Sequence, residues 1–191
     1  MEDIDYLYDL ISKNEVTLIG YRFSDERIKD EIISNLGRTK SIDLSSSFSM
    51  KSIFRDMKIG QVLNDEQKID YLLLDINDIR TLFRTRNNYT NQDISNSRVI
   101  QETIYPIREC LRDSRNGKDI CDIKLIITCP LNTTPSPSRK NGIDSFMGGS
   151  SPLYCSDLGL MITQKNDDKI IKIIKNRDGD SDKIIKYDSI K

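Results

Sequence analysis

At 191 residues the chain is long enough for one domain with an adequate core, and 37% hydrophobic with 31% charged residues fits a globular protein. Lys and Arg number 29 against 30 Asp and Glu, so the net charge of -1 gives no global drive toward nucleic acid or acidic membranes, although a local basic patch stays open. The absence of histidine excludes a Ser-His-Asp or Cys-His site and a His-ligated metal.

In chain order, Ile4, Leu7, Tyr8 and Ile11 recur at helical spacing and predict a short amphipathic N-terminal helix over Glu2–Lys13, set apart from a single domain over 14–191. Val16–Gly20 is a short apolar strand and Ser24–Leu36 an amphipathic helix with Ser24 as N-cap, stopped by Gly37. A phosphate-cradling loop would lie between them. A working loop reads GxxxxGK[ST], in which glycines let backbone N–H groups approach, lysine neutralises charge and a hydroxyl holds magnesium. Here Glu26 stands at the last glycine, Arg27 at the lysine and Ile28 at the hydroxyl. Ser24, Asp25, Glu26, Arg27 and Ile28 therefore read as a degenerate nucleotide site. Two carboxylates at a helix N-terminus complement its dipole and repel phosphate. The same residues also read as an ordinary first turn.

Ser41–Leu44 is a second strand candidate, Met50–Met57 a crossover helix, and Tyr71–Leu74 an apolar strand ending at Asp75. Phe83–Ser97 is polar and reads as a loop. Arg98–Ser114 is helical by period, with Pro106 arguing against a straight helix. Ile123–Thr128 is a buried strand, and Thr133–Met147, with TTPSPSRKNGID, reads as a long loop. Tyr154–Thr163 is a strand candidate. Lys169–Lys175 and Lys183–Tyr187 form a hairpin around Asp178-Gly179-Asp180. Strands alternating with helices before a closing hairpin predict an α/β fold, a mostly parallel twisted sheet flanked by helices with an antiparallel hairpin at its end. The four cysteines, Cys110, Cys121, Cys129 and Cys155, lack CxxC spacing and read as reduced thiols of a cytosolic protein. No run reaches the roughly 20 apolar residues of a membrane span, and the acidic start lacks the basic segment of a secretion signal.

Taken in order, these segments resemble the RecA-like ATPase core, in particular the motor domain of DnaB-type replicative helicases and phage recombinases. The resemblance runs over about 14–187. Tyr21-Arg22-Phe23-Ser24-Asp25-Glu26-Arg27-Ile28 falls in register with the family's phosphate loop. Asp43–Phe48 falls where a glutamate activates water, with Ser47 near that position. Asp75 matches the magnesium-side aspartate, and Pro130 replaces the glutamine that senses the γ-phosphate. Gly148-Gly149-Ser150-Ser151-Pro152-Leu153-Tyr154-Cys155-Ser156-Asp157 is similar to the family's GGSSxLYSAD segment, and Lys175-Asn176-Arg177-Asp178-Gly179 to its KxRxG hairpin.

The resemblance implies that Lys175 and Arg177 are candidates for a finger acting in trans on a neighbouring subunit. It also implies that the loops carrying Arg84, Arg86 and Tyr89, and Arg139 and Lys140, are candidates for binding single-stranded DNA. Ile/Lys alternation also suits any half-buried hairpin, and the loops also read as solvated. The expectation is a catalytically inactive domain, a pseudo-ATPase with no catalytic residue, cofactor or metal. It would be an accessory or regulatory factor in DNA replication or recombination that binds single-stranded DNA or an active helicase or recombinase. Heavy Ile, Lys and Asn use suggests an AT-rich viral or phage genome, hence the host cytoplasm. The alternatives are a divergent NTPase using Arg27 and Asp75, and a structural homo-oligomer built on the RecA-type interface.

Overall fold

The computed structural model of the chain describes residues 2–41, 69–77, 104–109, 111, 123–136, 139–147, 150–165, 168–177, 179 and 181–187. The expected helix Met50–Met57, Asp43–Phe48, the segment Phe83–Ser97 with Arg84, Arg86 and Tyr89, and Cys110 and Cys121 lie outside these residues.

Helix α1 (Glu2–Lys13) turns Leu7, Leu10 and Ile11 into the same core as Ile171, Ile185 and Tyr187, so its apolar stripe packs on its own sheet. Each buried Leu or Ile side chain of this kind contributes about 1.5–3 kcal/mol. Strand β1 (Val16–Tyr21) is buried at all six positions, as befits a central strand covered on both faces. It runs one residue beyond its expected end, because Tyr21 still pairs in register with Pro130.

The expected helix start at Ser24 is corrected. Phe23–Asp25 is a single 3-10 turn, and α2 (Glu26–Ser34) begins after it with Asp25 in the N-cap position. Neither residue makes a side-chain capping bond; Asp25 is directed inward instead. The chain then turns at Gly37, whose φ of 103° lies in the left-handed region open to glycine.

The edge strand β2 (Thr39–Ser41) lies slightly before the predicted Ser41–Leu44. It is followed by β3 (Tyr71–Asp75), β4 (Lys124–Ser136), β5 (Arg139–Phe146), the short helix α3 (Ser151–Cys155), β6 (Leu158–Lys165), β7 (Asp168–Asn176) and β8 (Ile184–Lys186). Residues 104–109 and 111 are helical, including Pro106.

The order across the sheet is β2-β3-β4-β1-β6-β7-β8, with β5 attached to β4. Strands β2, β3, β4, β1 and β6 are parallel, while β7 and β8 run antiparallel to their neighbours. The predicted architecture is therefore present. Two cores cover the sheet. α1 and α2 pack with Ile19, Tyr21 and Ile126 on one face, and Ile104, Ile107 and Leu111 pack with Leu18, Leu74 and Ile127 on the other.

Two further expectations are overturned. Within Thr133–Met147 the described residues form two antiparallel strands: β4 continues past Pro130 to Ser136 and pairs with β5, Leu131 opposite Phe146 and Thr133 opposite Asp144. The register slips between Thr134 and Ser136, and Pro135 lies at that irregularity, a place where a residue without an N–H is tolerated. The expected strand Tyr154–Thr163 begins only at Leu158, because Ser151–Cys155 is helical with Pro152 in its first turn, where proline is favoured.

Candidate functional site

The chain leaves β1 toward one side of the sheet and returns to its other side at β6, so the strand order reverses at β1. Open α/β sheets bind ligands in the crevice beyond the carboxyl ends of strands at such a point. At that end of the sheet stand Tyr21, the last residue of β1, and Asp75, the last of β3, with Thr128 of β4 paired to Asp75.

Asp75 ends β3. Its carboxylate accepts the backbone N–H of Asn77 at 2.7 Å and the hydroxyl of Thr128, on the adjacent strand, at 2.8 Å. The first bond caps the turn that follows the strand. The ring of Tyr21 is buried next to these groups. Burial pushes its hydroxyl well above the ordinary value of 10.0, and the charges of Asp75 and Glu26 push in the same direction.

Of the α2 residues that the sequence singles out, Glu26, Arg27 and Ile28 do not line one anion cradle. Arg27 is exposed and acts on Tyr187, at the α1 and β8 side of the helix. Ile28 packs into the α1/α2 core, and Ser24 is exposed. The buried cation of this helix is Lys29, which periodicity did not single out. Its ammonium stands 4.7 Å above the Tyr21 ring, 3.0 Å from Asp30 and 3.5 Å from Glu26. Such a position, one turn inside the helix on its buried stripe, was legible only as a polar break in Ile28, Ile32 and Ile33. Asp25 is 1% exposed, and one carboxylate oxygen pairs with Lys169, at the start of β7.

On the opposite face of β1, the β4–β5 hairpin closes over Gly20. A Cβ at Gly20 would lie 2.5 Å from the Phe146 ring, so the hairpin packs directly on the strand backbone. Arg22, the residue after β1, holds the Asp144 carboxylate in a fork: Nε donates at 3.0 and 3.1 Å and Nη2 at 2.9 Å. Thr133 donates to it at 2.7 Å and Thr163 at 3.1 Å. Arg139 and Lys140 lie on β5; their backbone is part of the hairpin rather than of an open loop.

The candidate finger lies at the other end of the sheet, where β7 ends beside the start of β6. The Lys175 ammonium is turned inward and donates to the carbonyls of Leu153 at 2.9 Å, Tyr154 at 3.5 Å and Ser156, closing the end of α3. Burial lowers its pKa below the ordinary lysine value. Arg177 is 62% exposed and bridges to Asp157 at 3.4 Å. Asp157 also takes Arg108 at 2.6 Å and the N–H of Val16 at 3.2 Å. Asp75 and the finger residues are therefore not brought together within one chain. Among the described residues, no three metal-ligating side chains converge, and no helix is long and apolar enough to cross a membrane.

No family model matches the chain, and no curated protein matches its sequence. Among solved structures, a DnaB-like replicative helicase, described with its interactions with primase, superposes with a TM-score of 0.52 at 8% identity. The match covers 90% of this chain and 54% of the helicase, so the chain spans about half the helicase's length. The RadB recombinase gives a TM-score of 0.45 at 9% identity, over 88% of this chain and 84% of its own. The likeness to the helicase shows the fold: the sheet is RecA-like, as the ordered sequence segments imply.

Proposed function

We propose that this chain is a RecA-like domain without nucleotide hydrolysis, an accessory or regulatory factor in DNA replication or recombination. It is read as virus-encoded, and as working by holding single-stranded DNA or docking on an active helicase or recombinase. The observation that carries the reading is Asp25. The N-cap residue of α2 carries a buried carboxylate that makes no capping bond and pairs with Lys169, a negative charge beside the helix start that a nucleotide phosphate would have to approach.

Tyr21 and Lys29 add to this. The Tyr21 ring is buried in the α1/α2 core, and the ammonium above it is matched by Glu26 and Asp30. The residues present do not fit a magnesium nucleotide, and no catalytic step is derived through one. Ser47 and Pro130, at the positions of the family's base and sensor, point the same way, since neither side chain can serve as a general base.

One observation favours a divergent NTPase: Asp75, at the end of β3, meets Thr128 of the adjacent β4 on the same face as Lys29. That reading requires Lys29 to leave its two carboxylates and the Tyr21 ring. An assay of ATP hydrolysis with and without single-stranded oligonucleotide separates the two. No turnover above buffer is expected, and oligonucleotide-stimulated turnover would remove the proposal. The partner is tested by fluorescence anisotropy with a labelled oligonucleotide over a salt series. Loss of Arg139 and Lys140 together should flatten the slope of log affinity on log salt by roughly one unit or more, at about 0.7 for each contact. Tyr89→Ala should weaken binding without changing the slope, because stacking releases no counterions. Absence of binding at low salt assigns the role to a protein partner.

A further inference from the structure

The register places Asp144 unusually. Met161 is the partner of Gly20 in β6, and Pro130 the partner of Tyr21 in β4. Thr163 and Thr133 therefore stand just past the level at which β1 ends, on the two strands that flank it. Arg22 is the next residue of the chain beyond β1. These three side chains converge on the gap that the ending strand leaves between its neighbours. The group found there is a carboxylate, delivered from β5, whose side chain is 6% exposed. It takes three N–H···O contacts from one guanidinium and one bond from each hydroxyl. A planar guanidinium fork with two flanking hydroxyls is the donor set that recognises an oxyanion bidentately.

We propose that Arg22, Thr133 and Thr163 form an oxyanion receptor whose resident ligand is the chain's own Asp144 carboxylate, and that this occupancy latches the β4–β5 hairpin onto the sheet. The receptor lies on the face away from α2, so it is separate from the crevice at Asp25 and Asp75. Its ligand class is a small carboxylate, because that is the group these donors hold. The wild-type site is closed to free anions by a tethered carboxylate at a far higher effective concentration than any solute.

The test uses the full chain and formate, the free equivalent of the group removed. Asp144→Ala should melt lower than wild type in sodium chloride, and added sodium formate should raise its Tm saturably at constant ionic strength. Wild type should show no saturable rise. The double variant Arg22→Met with Asp144→Ala should show none either, because the fork is gone. An Asp144→Ala protein indifferent to formate overturns the proposal. If Asp144→Ala does not fold, Asp144→Asn keeps the shape and removes the charge. NMR should then show the Arg22 Nε–H exchanging at least tenfold faster than in wild type, and an unchanged rate overturns the latch. Nucleotide binding by wild type would contradict the proposed function and leave this receptor standing.

Discussion

Buried aspartates stand at both ends of β1, and they are partnered differently. At the amino end one carboxylate, Asp157, serves Arg108, Arg177 and the N–H of Val16, drawing the first residue of β1, the start of β6, the end of β7 and the helical stretch 104–109 to one point. At the carboxyl end the cations are matched separately: Arg22 with Asp144, Lys169 with Asp25, and Lys29 with Glu26 and Asp30. The first arrangement is a knot that holds elements together. The second neutralises, group by group, the end of the sheet where an open α/β fold receives its ligands. At the amino end one carboxylate gathers several elements, while at the carboxyl end each cation has its own acid.

If the amino end is a structural knot, breaking it should cost the most. Asp157→Ala leaves Arg108, whose side chain is 11% exposed, buried without its main counter-charge. The expected loss is about 3–5 kcal/mol in urea unfolding. A loss below 1 kcal/mol would show that Asp157 is not the hub. Next in size is Gly20→Ala, which drives a Cβ into the Phe146 ring and the Leu131 side chain. Overpacking of this kind costs about 1–3 kcal/mol. Combining it with Phe146→Leu should recover part of that loss, because the hairpin then has room to settle.

The carboxyl-end carboxylates should matter less for stability. Asp75→Ala removes a turn cap and one bond to Thr128, with an expected cost of about 1 kcal/mol. A much larger loss would mean that Asp75 still holds something beyond its turn. The smallest effect is a titration. Tyr8, Tyr21, Tyr71 and Tyr187 are all raised above the ordinary 10.0, chiefly by burial. In the unfolded chain they lose their protons first, so their contribution is complete below pH 10 and is lost as pH rises through the higher folded values. Absorbance titration of tyrosinate should show a native fraction that ionises late, and Tyr21→Phe should remove part of it.

Most of the sheet was legible because its strands are short continuous apolar runs: VTLIG, YLLL and LIIT have the length of buried strands and fall short of a helix. The hairpin was missed because Thr, Ser and Pro dominate β4 beyond Pro130, and those residues usually mark loops. Its pairing rests on partners far along the chain, with Asp144 reaching Arg22 across 122 residues. The position of α3 was misread for a related reason: Tyr154 and Cys155 look strand-like, while Pro152 favours a helix start. At the candidate site, the position of Asp75 followed from the end of its strand, while Asp25 is the N-cap rather than a residue of the first turn. The roles of Lys29, Lys169 and Asp144 did not, because which carboxylate meets which cation is set by sheet order and register, and a single sequence does not print those.

The central claim is that the carboxyl end of β1 holds the chain's own charges in place of a nucleotide's. Calorimetric titration of the wild-type chain with Mg-ATP tests it most directly. The account predicts no saturable heat of binding. A saturable isotherm with a dissociation constant on the order of micromolar, about 8 kcal/mol of binding free energy, would contradict it.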